Sequence, residues 1–223
     1  SFSSGKTSPF AGRFSSSAGV MDLVLDHYKG KTFEVEFDNK KRLYLHIDIL
    51  TDFGICRDCE IEPDELKKIV YASNFRRAYE YALYRLDYRD YSAVEMYEKL
   101  LETYKKESLC LEVVKKLAKA GIINDERYGE KLARKLVESK KYGFQRAKRE
   151  MMQKGLTEET VETALEQYNE AFGENLSELL REKYSRYLAD ITDKKSVEKV
   201  KNSLVRYGYS YDEINRGIAE YFE

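Results

Sequence analysis

The sequence predicts a mainly α protein. Its expected architecture is three tandem three-helix repeats forming an elongated curved body, with a small N-terminal β-hairpin segment. Three observations lead there. Pro63 is the second of only two prolines, so the final 160 of 223 residues contain none, and proline costs ~3 kcal/mol inside a helix. From Asn74 onward the apolar residues step by three and four, the spacing of a helix face. Those stripes then recur at intervals near fifty residues, as stacked helical units do.

Residues 1–20 are rich in Ser and Gly and have no period. A disordered arm or an appended leader is expected there, with Met21 as a plausible natural start. At Thr32 the period becomes two: Phe33, Val35 and Phe37 alternate with Glu34 and Glu36. Asp38, Asn39, Lys40 and Lys41 supply turn chemistry, and Leu43, Leu45 and Ile47 alternate again. This predicts a hairpin with one buried face, which needs something to pack against. Pro63 suits the first position of a short helix through Leu66, Ile69 and Val70, with Asp64 and Glu65 in its first turn.

Each repeat opens on a leading helix, marked by Tyr79, Leu83 and Leu86, by Tyr128, Leu132 and Leu136, and by Leu176, Leu180, Tyr184 and Tyr187. A middle stripe follows: Val94, Tyr97, Leu101 and Tyr104; Phe144, Ala147 and Met151; Val197, Val200, Leu204 and Tyr207. The last stripe is Cys110, Val113, Val114 and Leu117, matched by Val161, Ala164, Leu165 and Tyr168, then by Ile214, Gly217, Ile218 and Tyr221. The joint Lys154-Gly155-Leu156-Thr157 parallels Tyr207-Gly208-Tyr209-Ser210. In both, glycine can end one helix in the left-handed conformation and Thr or Ser can cap the next. Ser92-x-x-Glu95 and Ser210-x-x-Glu213 read as capping boxes. The boundaries expected are 21–73 for the hairpin and short helix, then 74–121, 124–169 and 172–223 for the units.

Composition narrows the function. Lys and Arg number 39 against 40 Asp and Glu, a net charge of −1, which excludes a globally basic DNA-coating protein. No apolar run approaches the ~20 residues a membrane span needs. No secretory leader is visible, and three cysteines fit a reducing compartment, so a soluble cytoplasmic protein is expected. Tryptophan is absent and tyrosine occurs 19 times, so tyrosine is expected to be the main large aromatic of the core. No phosphate loop, nucleophile elbow or paired catalytic carboxylates appear; Gly5-Lys6-Thr7 lacks the upstream glycine of a P-loop. An enzyme is therefore not expected. Cys56 and Cys59 have CxxC spacing, but Cys110, His27 and His46 do not supply a second ligand pair, so no metal is expected. Cys110 falls on an apolar stripe and reads as a core residue.

Charge is concentrated rather than absent. Residues 131–154 carry nine basic and two acidic side chains, a local +7, and 157–178 then hold seven glutamates and no cation. Helical geometry directs Arg134, Arg146 and Arg149 away from their apolar stripes, and places Lys148 at the flank. Glu158 and Glu159 also suit a helix N-terminus behind Thr157.

The ordered stretches Tyr81–Ser92, Gly121–Tyr128 and Gly143–Glu150 with Lys154-Gly155-Leu156 resemble the RecX family, bacterial regulators of the RecA recombinase, over about 31–223. The resemblance implies a non-catalytic regulator that lies in the groove of the RecA–single-stranded DNA filament and inhibits its ATPase and strand exchange. It implies RecA and single-stranded DNA, met directly or through RecA, as partners, no cofactor and no membrane, with a monomer expected. The residues expected to bind DNA or the filament are Arg134, Lys135, Lys140, Lys141, Tyr142, Arg146, Lys148 and Arg149, Tyr142 being placed to stack on a base. Two rival readings are a freestanding nucleic-acid-binding protein and a protein-only helical scaffold. The acidic last helix of the second unit argues against the first.

Overall fold

The computed structural model describes residues 21–37, 41–190 and 192–223. The expectations for 1–20 and for the turn at 38–40 fall outside the described residues. The chain divides into two compact units, 1–80 and 81–223.

The first unit holds more β structure than a hairpin. Its strands are β1 (Met21–Lys29), β2 (Thr32–Phe37), β3 (Lys41–His46) and β4 (Cys59–Ile61), in the antiparallel order β3-β2-β1-β4. Strand β1 turns into β2 at Gly30, whose φ of 56° is left-handed, and pairs Leu23 with Phe37 and Leu25 with Val35. β2 and β3 form the expected hairpin, with Val35 opposite Leu43. Ile47 is not a strand residue: it opens α1 (Ile47–Asp52), capped by the ring of His46, which accepts the Asp48 N–H at 3.1 Å. Leu23, Val35, Phe37, Leu45, Ile49, Leu50, Ile55 and Ile61 form one core with Ile69 of α2 (Pro63–Tyr88). That helix is what the hairpin packs against. It starts at Pro63 as expected, yet it is not short, since nothing in its 26 residues breaks it before Tyr88.

The second unit is helical: α3 (Ala93–Tyr104), α4 (Glu107–Lys119), α5 (Asp125–Arg134), α6 (Phe144–Met152), α7 (Glu158–Glu166), α8 (Asn169–Glu182), α9 (Lys194–Tyr207) and α10 (Tyr211–Phe222). These fall into helix trios at the expected period. α4, α7 and α10 bury the anticipated stripes, including Cys110 at 0% exposure. In α3 the buried face is Met96 and Leu100 instead, and Val94 is exposed. Both capping boxes are formed, and Thr157 caps α7 by accepting the Thr160 N–H. The cluster running from Ala133 to Ile218 joins α5–α7 and α8–α10 in one apolar core. Tyr91, Tyr168, Tyr184 and Tyr209 are among the buried large aromatics, with Phe37 and Phe172.

Candidate nucleic-acid interface

The +7 segment spans α5, a π-turn at Lys135–Ser139, a loop and α6. The π-turn admits one extra residue, so Leu136 and Val137 are both buried. It also frees the Val137 carbonyl, which accepts 3.0 Å from the amide of buried Asn175. Such a bulge re-aims the chain that follows. Lys140 N bonds back to Lys135 O at 3.2 Å, Tyr142 N to Leu136 O at 3.0 Å, and Lys141 takes a left-handed φ of 55°.

The eight predicted residues are divided by the fold. Arg134, Lys135 and Arg149 are exposed and form no ion pair among the described residues. Lys140 is also exposed, its ammonium 5.3 Å from the Tyr142 ring centre. The other four are engaged internally. Lys148 turns to the acidic helix, reaching Glu158 at 2.6 Å and Glu162 at 2.8 Å. Those bonds hold the Lys148 ammonium above its ordinary pKa and the Glu158 carboxyl below its own. Lys141 pairs with Glu178 at 2.8 Å. The acid block that follows the basic block is thus partly its counter-charge.

Arg146 does not project outward. Its guanidinium bonds Glu150 at 3.0 Å and the Arg206 carbonyl at 3.0 Å, and lies 3.9 Å from the Tyr142 ring centre. The correction has a clear cause: α9 of the next trio packs on the N-terminus of α6. Gly143 N donates to Tyr207 O at 2.9 Å and Gln145 N to Gly208 O at 3.2 Å. A Cβ on Gly143 would sit 2.6 Å from the Gly208 carbonyl, so glycine permits this approach. Tyr142 meets Tyr207 edge to face at 5.9 Å, and Lys183 donates to the Tyr207 hydroxyl at 2.6 Å. Sequence reading missed Tyr207 and Lys183 as neighbours of this patch; only the matched Gly155 and Gly208 pointed to the joint.

An equivalent joint lies one trio earlier. The Ser92 hydroxyl donates to the Lys154 carbonyl, and the Asp125 carboxylate accepts the Ala93 N–H at 2.8 Å. Glu95 is the hub, meeting Arg89 at 3.3 Å, Lys154 at 2.9 Å and the Tyr128 hydroxyl at 3.0 Å. Burial pushes the Glu95 carboxyl up, but the hydrogen bonds from Arg89, Lys154 and Tyr128 outweigh it and hold the group below its ordinary range. Burial, aided by the Glu95 charge, pushes Tyr128 up to about 12. Lys154 and Lys131, which pairs with Asp90 at 2.7 Å, therefore also serve the inside of the molecule.

The RecX second three-helix domain family matches residues 124–165, the stretch holding the π-turn and all of the basic segment. The chain is 26% identical over 184 residues to the regulatory protein RecX of Streptococcus uberis, covering 82% of this chain and 70% of that one. With the regulatory protein RecX of Geobacillus thermodenitrificans it shares 28% over 207 residues, covering 90% and 76%. A crystal structure of a regulatory protein RecX superposes with a TM-score of 0.70 at 21% identity, covering 87% of this chain and 97% of that one. The likeness to RecX proteins thus runs over most of the chain in sequence and in fold. The crystal structure of RecX from Lactobacillus salivarius, at 28% identity, superposes with a TM-score of 0.61 over 67% of this chain and 97% of that one. The relatives are named regulatory proteins, which agrees with a role other than catalysis. Among the described residues no group of His, Cys, Asp and Glu could hold a metal, and no helix is long and apolar enough to cross a membrane.

Proposed function

We propose that the protein is a non-catalytic cytoplasmic regulator that binds the RecA–single-stranded DNA filament and restrains its ATPase and strand exchange. The observation that carries this is the residue of charge left after internal pairing. Arg134, Lys135, Lys140 and Arg149 stay exposed around the π-turn, on the domain matched to RecX, while their basic neighbours are spent on joints. Four uncommitted cations suit a phosphate backbone or an acidic protein surface. The rival freestanding DNA-binding reading is weakened by α7, which in the last position of its trio presents Glu159 and Glu166 rather than cations. The 1–20, 21–73, 74–121, 124–169 and 172–223 divisions serve this reading as a small β-bearing head followed by three helical modules.

The test is a titration of the protein onto bare and RecA-coated single strands across a salt series. Markedly tighter binding to the coated strand is expected. Equal binding with a steep salt slope would favour the freestanding DNA binder, because the slope counts displaced counterions; no binding to either would leave a scaffold. Reversing Arg134, Lys135, Lys140 and Arg149 to Glu should abolish inhibition of the filament ATPase and leave helical circular dichroism unchanged.

A further inference from the structure

The third helix trio carries a second cationic surface that the +7 segment does not include. Between the end of α8, the short 3₁₀ turn Ser185–Tyr187 and α9 lies a groove of about 530 Å³. Its walls include Lys183, Tyr184, Tyr187, Lys199, Ser203 and Arg206, and no carboxylate lines it. The acids tied to its rim are Glu198, which accepts from Asn202 at 3.4 Å, and Asp193, the cap of α9, whose carboxyl feels the Lys199 charge. The same trio offers a contrast, for the cavity lined by α8 and α10 carries Asp212, Glu213 and Glu220 against the single cation Arg216.

The groove is pre-formed. Tyr184 is buried, and its hydroxyl shares a 2.7 Å hydrogen bond with Ser203, which fixes α9 against the end of α8. Lys183 is held by the Tyr207 hydroxyl, which keeps its ammonium above the ordinary pKa. Lys199 and Arg206 are exposed, without an ion pair among the described residues. Seven residues apart on one helix, they are separated by about 10 Å along its axis. That is too far to share a single phosphate, so the pair selects a polyanion with repeating charge. Tyr187 stands beside them, 54% exposed and with no ring partner among the described residues. An uncovered ring beside a cationic track is the arrangement that holds unpaired bases over a phosphate backbone.

We propose that this groove is a direct site for single-stranded nucleic acid, with Lys183, Lys199 and Arg206 on successive phosphates and Tyr187 stacked on a base. This deepens the regulator reading, and rests on it, by giving the third trio its own grip on the strand without RecA. The groove adjoins the Tyr142–Tyr207 joint, since the Arg206 carbonyl receives Arg146.

Fluorescence anisotropy with a labelled oligothymidylate, and with an abasic backbone of equal length, tests it using the full chain without RecA. Lys199→Glu with Arg206→Glu should weaken both probes at least tenfold and flatten the salt slope by about 1.4, the ~0.7 per phosphate expected for a single strand. Tyr187→Ala should weaken the oligothymidylate roughly fivefold or more and leave the abasic probe unchanged. Unchanged oligothymidylate binding by the folded double variant overturns the groove, and so does an equal Tyr187→Ala loss on both probes. Binding of a polyglutamate peptide as tight as the oligothymidylate also overturns it, in favour of an acidic protein partner. Groove-dependent oligonucleotide binding with no preference for RecA-coated strand supports the groove while overturning the regulator. Coated-strand preference that survives both groove variants, with bare-strand binding unaltered, does the reverse.

Discussion

The joint between α3 and the following trio and the joint between α6 and the trio after that share one backbone plan and opposite chemistry. In both, the cap residue of a middle helix meets the carbonyl just before a left-handed glycine, Gly155 with φ 78° or Gly208 with φ 98°. At the first joint a hydroxyl bridges the gap, from Ser92 to Lys154 O. At the second there is no side chain, and the Gly143 N–H bonds Tyr207 O directly at 2.9 Å. Around the first gather Glu95, Arg89, Lys154 and Asp125; around the second, Tyr142 and Tyr207 meet edge to face, with Arg146 and Lys183 on their outer side, over an apolar core shared by both trios. The repeat thus conserves a hydrogen-bonding geometry and leaves the seal free to vary. The first seal hangs on one partly buried carboxylate and the second on ring and backbone contacts, so the two joints should fail under different conditions.

The largest effect is expected from closing the space at the aromatic joint. Gly143 has φ −73°, which any residue adopts, so only its neighbour forbids a side chain. Gly143→Val places a Cβ 2.6 Å from the Gly208 backbone, which has no flexible end to move aside. The joint must open, losing its backbone bond and part of the Tyr142–Tyr207 contact. We expect a loss of about 3 kcal/mol in urea denaturation. A change below about 1 kcal/mol would show that the two trios are not held at this point.

Less should be lost at the charged joint, and with a pH signature. Glu95→Gln leaves Arg89 and Lys154 without their anion, costing about 2 kcal/mol near neutrality. The sign follows from the direction of the shift. Because the folded carboxyl sits below its ordinary 4.5, its contribution is complete above that pH and is lost as pH falls through the folded value. Wild type should therefore lose urea resistance more steeply than Glu95→Gln as pH falls below about 4.5, and amide exchange in α3 should quicken there before that in α9. Parallel pH profiles for the two proteins would refute the polar latch.

How far the sequence could be read follows the same division. The stripes Cys110–Leu117 and Val161–Tyr168 were legible because one face alone is apolar. In α3, Val94, Met96, Tyr97, Leu100 and Leu101 spread over nearly half the helix circumference, so periodicity could not tell the core face from the joint face. Strand β1 was missed because Val24 and His27 break its alternation, one apolar on the outer face and the other polar on the face of Leu23 and Leu25, and β4 because three residues carry no period. The cations were legible as a block, but not their fate. Lys141 and Lys148 find their carboxylates 37 and 10 to 14 residues away, across helices whose packing the sequence does not display. The π-turn at Lys135 had no sequence signal at all.

The smallest structural effect should carry the most informative change in binding. Glu158 and Glu162 are exposed surface acids whose shared partner is Lys148, and such pairs contribute little to stability. Glu158→Gln with Glu162→Gln should leave the urea midpoint unchanged within error. It releases Lys148, however, into the exposed set of Arg134, Lys135, Lys140 and Arg149. One further cation available to a single-stranded phosphate backbone steepens the salt dependence of binding by about 0.7. If Lys148 lies on the face that meets the strand, the double variant binds more tightly at low salt and shows that steeper slope. If the slope stays as in wild type while folding is intact, Lys148 faces away from the strand. The contact surface then narrows to the π-turn side of α5, and the α6–α7 pairing is purely a fastening within the trio.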